Sequence, residues 1–125
     1  MKCIPVPPAL KINEVLYKNR EMPVHVRVEQ RIVWNLMLAL KAAGFEPLRV
    51  NDGDENTRVN TWKAAMERLF NLDDAIFSVS KNNTGFWIKF VFGNGIDVVS
   101  DYSYSGRDTE GFNKLMDEFK PELFA

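Results

Sequence analysis

Cysteine and histidine are nearly missing from this chain: it holds one of each, Cys3 and His25. No disulfide can close within it, which suits a reducing compartment and makes a cytoplasmic location the expectation. A zinc site of four Cys/His ligands cannot be assembled from one such pair. A Cys3–His25 nucleophile and base would lie in a proline-rich arm and on a strand, with no signature around either. No Gly-x-Ser-x-Gly elbow is present to offer His25 a serine. Long apolar runs are also absent. The greasiest stretch, Ile32 to Phe45, falls short of the about 20 residues that span a bilayer. The opening residues, Met-Lys-Cys-Ile-Pro-Val-Pro-Pro, carry no apolar run of the kind a secretory signal needs. Nor is there a charge excess. The net charge is −1 and the pI about 5.8, which argues against a broad basic footprint, so no nucleic-acid partner is expected. No repeat, low-complexity tract or linker interrupts the sequence, so residues 1–125 read as one domain with an arm at 1–22.

What is present is a legible core. At 125 residues, folding buries roughly two thirds of the unfolded chain's surface, which is enough without staples. Ile-Val-Trp-Asn-Leu-Met-Leu-Ala-Leu-Lys-Ala-Ala, residues 32–43, predicts a central helix apolar nearly all round, with Gly44 as its stop. Glu29 is placed to open that helix, where a carboxylate favours the N-terminal dipole end. Val24, Val26 and Val28 alternate with His25 and Arg27, the period of a half-buried strand over 23–28. Phe45–Val50 reads as a short strand that Pro47 pushes toward an edge. Val59, Trp62, Met66 and Leu69 give one face of a second helix over about 57–70.

A β-meander follows. Ala75, Phe77 and Val79 alternate, then Phe86, Ile88, Phe90 and Phe92, with Asn82–Gly85 as the turn between. Gly93-Asn94-Gly95 predicts a hairpin into a third strand over Ile96–Asp101. Asp108 or Thr109 can cap a last helix carrying Phe112, Leu115, Met116 and Phe119, ended by Pro121. The expected fold is α+β: a mainly antiparallel sheet, a three-stranded meander plus one or two short strands, packed against three helices.

Few residues carry chemistry. Asp52-Gly53-Asp54-Glu55-Asn56 opens like a calcium loop, but its sixth position is Thr57 and its twelfth Lys63. Gly93-Asn94-Gly95 lacks the third glycine and the helix of a phosphate loop. No cofactor is expected. Asp101-Tyr-Ser-Tyr-Ser-Gly-Arg-Asp108 combines the residue types of adaptable recognition loops. If the strand before it ran parallel to Leu48–Val50, Asp52, Asp54, Asp101, Tyr102, Tyr104 and Arg107 would share one acidic, aromatic rim. Such a rim fits a protein partner with a basic surface. Residues 1–31 carry six Lys/Arg against three Asp/Glu, and residues 71–125 five against nine. A basic arm clasping the acidic half of a second copy is thus a further expectation.

Trp34-Asn35-Leu36 with Ala42-Ala43-Gly44-Phe45, and Gly93-Asn94-Gly95-Ile96-Asp97 with Ser100-Asp101-Tyr102-Ser103, resemble small proteins of phages and prophages over roughly residues 30–120. No activity is established for that group, so no functional residue carries over. The resemblance implies a bacterial cytoplasm and an accessory role in host interaction. The functional expectation is a small non-enzymatic protein-binding protein, in concrete form a phage-encoded inhibitor of a bacterial defence system or a like regulator. The alternatives are a homo-oligomeric assembly protein and a small enzyme using carboxylates with a divalent metal.

Overall fold

Helix α1 runs over Val24–Ala42, the first element of a computed structural model that describes residues 24–125. The arm expected over 1–22, Cys3 included, lies outside the described residues. Of the strand expected over 23–28, residues 24–28 are helix instead, and Pro23 lies outside the described residues. Val28 and Ile32 are four apart, so a residue of the alternating run also falls on the helical face that meets the core. The helix penalty of each valine is below about 1 kcal/mol, and packing of Val28 against the core outweighs it. Gly44 ends the helix at φ +92°, and the Gly44 and Phe45 amides donate to the Lys41 and Leu40 carbonyls at 3.0 Å each.

The strands are β1 Glu46–Asn51, β2 Asn56–Arg58, β3 Asp74–Lys81, β4 Thr84–Val91 and β5 Val99–Tyr102. The other helices are α2 Trp62–Leu69 and α3 Phe112–Glu118. The five strands form one antiparallel sheet ordered β2-β1-β3-β4-β5. Pro47 does not put β1 at an edge: it pairs with Val79 of β3 and lies beyond the end of β2 on the other side. The register shifts between Pro47 and Arg49, a bulge that leaves the Leu48 carbonyl to accept from Val59 N at 3.1 Å. The second helix begins later than expected because Asn56–Arg58 pairs with β1. Asp52 makes that reversal: its Oδ1 accepts from the Asp54 and Glu55 amides at 2.9 and 2.8 Å. Thr61 then caps α2, its hydroxyl accepting from Ala64 N at 3.0 Å.

β3 and β4 join through Asn82 and Asn83, both at positive φ, the geometry of a two-residue hairpin. Between β4 and β5, the expected tight hairpin at Gly93–Gly95 is a longer connection with a 3-10 turn over Gly95–Asp97. That shortens the last strand, leaves Ile96 exposed and buries Val98.

One face of the sheet is core. Phe77, Val79, Ile88 and Phe90 join Ile32, Leu36, Leu40, Met66 and Leu69 in a single buried cluster. The other face, carrying Ile76, Ser78, Trp87 and Lys89, is open; Ile76 and Trp87 are 39% and 37% exposed.

Glu29 corrects the expectation most sharply. It lies inside α1 rather than at its opening, and is 1% exposed. Its Oε2 accepts from the Gly93 and Gly95 amides at 2.8 and 2.9 Å, tying α1 to the β4–β5 connection.

Candidate functional site

The loop after β5 is positioned by an aromatic cluster. Phe112, the first residue of α3, stacks on Phe86 at 4.6 Å and meets Phe45 edge-on at 5.8 Å. Tyr102 meets the same Phe112 ring edge-on at 6.1 Å and donates its hydroxyl to the Asp117 carboxylate. That hydrogen bond, with burial and the nearby negative charge, pushes the Tyr102 phenol up to about 12. Tyr102 is therefore a support that packs over the last helix.

Asn113 and Asp108 fix the loop from the helix side. Asn113 is buried, and its Nδ2 donates to the Ser105 carbonyl at 2.6 Å while its Oδ1 accepts from Ser105 N at 3.3 Å. The N-cap of the last helix is Gly111, not Asp108 or Thr109, yet the Asp108 carboxylate reaches its first turn and accepts from the Asn113 and Lys114 amides at 2.8 and 2.9 Å. Ser105 Oγ donates to the Arg107 carbonyl at 2.8 Å. The backbone is thus held while Tyr104, 72% exposed, and the exposed Arg107 project outward. A hollow of about 320 Å³ lies between loop and helix, lined by Tyr104, Ser105, Asn113, Lys114, Asp117 and Glu118 among others. Asp101 is exposed, and its Oδ1 accepts from the neighbouring Tyr102 amide at 2.8 Å.

Asp52 and Asp54 do not join this site. Two antiparallel steps make β4 parallel to β1, and a third makes β5 run against β1. The ends of β1 and β5 therefore lie on opposite rims of the sheet, because pairing direction is decided by contacts far apart in sequence. Asp52 is structural: besides turning the chain, its Oδ2 pairs with Arg68 at 2.9 Å. The Asp54 and Glu55 amides, and then the Arg68 charge, hold its carboxyl below the usual range. Asp54 is exposed beside it, and the two share a hollow of about 300 Å³ with Asp73 and Asp74. Among the described residues, no group of three or more His, Cys, Asp or Glu is placed to hold a metal ion. Among them also, no helix is long and apolar enough to cross a membrane.

Sequence reasoning overlooked the open sheet face. The signal was available: an alternation that turns Phe86, Ile88 and Phe90 inward turns Trp87 and Lys89 outward.

No family model, no curated protein and no solved structure matches this chain.

Proposed function

We propose that the protein acts by binding another protein through the loop between β5 and α3. The observation that carries this reading is Tyr104, 72% exposed on a backbone that Asn113 and Asp108 pin in place. An exposed aromatic on a pre-ordered loop offers contact area at low entropic cost. Asp101, Asp108, Asp117 and Glu118 bring negative charge near it, against the Arg107 and Lys114 cations. A basic partner surface complements that pattern and would be steered toward it. In this reading Tyr104 and Arg107 make contact, Asp101 supplies charge, and Tyr102 supports the loop. The resemblance to phage and prophage proteins gives the concrete form: an inhibitor of a bacterial defence system, or a like regulator, in the host cytoplasm.

The test is capture of partners from a bacterial lysate by the wild type and by Tyr104→Ala/Arg107→Ala, with Tyr102 kept because it packs on Phe112. Loss of a specific partner from the folded variant is expected. Equal capture by both proteins would remove the loop from the account.

A further inference from the structure

We propose that the open face of the sheet binds single-stranded nucleic acid, with a base stacked on Trp87 and phosphates held by Arg49 and Arg58. The register builds the site. Arg58 pairs with Arg49, Arg49 with Ser78, and Ser78 with Trp87. Directly opposed residues share a face, so two guanidinium groups, a hydroxyl and an indole form one row across β2, β1, β3 and β4. At about 4.8 Å between strands, the row from Arg58 to Trp87 spans about 14 Å, room for a few nucleotides. Lys89 stands two residues along β4 from Trp87, on the same face.

The charge pattern asks for an anion. Like charges directly opposed across two strands destabilise the pair, and Arg49 and Arg58 are both exposed. Among the described residues neither has an ion pair, and the nearby Asp52 is already engaged by Arg68. Arg58 also lines a cavity of about 570 Å³ with Lys41, Asn60, Trp62 and Ser80, in which the one carboxylate is Glu46. The whole-chain charge of −1 hides the arginine pair; on the same face Asp101 stands opposite Lys89 and Asp74 lies four residues along β3 from Ser78, so the basic ground is the Arg49–Arg58 end of the row.

The order of groups selects the ligand class. An acidic peptide would satisfy the arginines and leave Trp87 without a partner. A duplex keeps its bases stacked internally and denies them to the indole. A single strand offers both a phosphate chain and free base faces, which is how sheet platforms hold it. Two or three phosphate contacts predict a shallow salt slope, about −2 on a log–log plot.

The experiment uses the full chain and a fluorescein-labelled 12-mer of deoxythymidine, read by anisotropy from about 20 mM to 200 mM salt. Saturable binding is expected at low salt, with partial quenching of tryptophan fluorescence. Arg49→Ala/Arg58→Ala should weaken binding at least tenfold and flatten the salt slope. Trp87→Ala should weaken it about tenfold, and Trp87→Phe should restore most of the loss. Lys63→Ala, at an exposed position of helix α2 on the other side of the sheet, should leave binding unchanged. The proposal is overturned if the wild type fails to bind at low salt, or if the folded Arg49/Arg58 variant binds equally well. Duplex DNA, heparin or poly-glutamate binding as tightly as the single strand would also overturn it.

Discussion

Replacing Glu29 tests whether a single buried carboxylate joins the helix to the far end of the sheet. Its Oε2 receives two backbone donors, Gly93 N and Gly95 N. A hydrogen bond to a charged acceptor contributes about 1.5–3 kcal/mol. Gly93 is exposed and Gly95 half-buried, so water recovers part of that loss once the acceptor is gone. Glu29→Ala should therefore cost about 2–4 kcal/mol, a large fraction of the about 5–15 kcal/mol that holds a domain folded. Glu29→Gln keeps a carbonyl in the same place. It weakens both bonds but also removes a buried charge whose Oε1 has no partner, so its net effect should stay within about 1 kcal/mol. Urea unfolding would show the difference as a lower midpoint for Glu29→Ala at unchanged slope. Amide exchange should quicken at Gly93 and Gly95 in that variant. A cost under about 1 kcal/mol for Glu29→Ala, with both amides still protected, would refute the reasoning.

Three further outcomes follow from the same structure. Phe90→Ala removes a fully buried ring from the sheet's inner face and should cost about 3–5 kcal/mol in thermal or urea unfolding. Asp52 has its carboxyl pKa lowered in the folded chain, so its contribution is present above the unfolded value of about 3.9 and is lost as pH falls through the folded one. Asp52→Asn should accordingly flatten the acid limb of a stability-versus-pH curve. Tyr102 is raised from 10.0 to about 12, so its contribution is complete below pH 10 and disappears as pH climbs toward 12. Tyr102→Phe should abolish that alkaline step, together with the phenolate transition near pH 12 in an ultraviolet titration.

The parts of the fold legible in the sequence were those with local periodicity. Phe77, Val79, Ile88 and Phe90 alternate, and all are buried. Phe112 and Met116 recur one helical turn apart and are buried too. Val24 to Val28 misled because five residues satisfy a strand period and a helix period together, and only contacts made elsewhere decide. Strand direction was hidden for a similar reason. Nothing near Val50 or Val99 states that β1 and β5 run opposite ways, which is what places Asp52 and Tyr104 on different rims. Within the candidate loop, composition marked Tyr102 and Tyr104 alike. What distinguishes them is Phe112 and Asp117, which meet Tyr102 alone.

The pair of asparagines at 82 and 83 sets an order of assembly. They close the longest ladder of the sheet, eight register pairs from Asp74 to Lys81 against Thr84 to Val91, across only two residues. The Glu29 tether, by contrast, must bring together groups 64 residues apart. Closing the larger loop carries the greater entropic cost, whereas a hairpin zips within about 1–10 microseconds. The central ribbon should form first and helix α1 lock onto it afterwards, so a chain stalled before that last step would present its aromatic inner side bare to its neighbours.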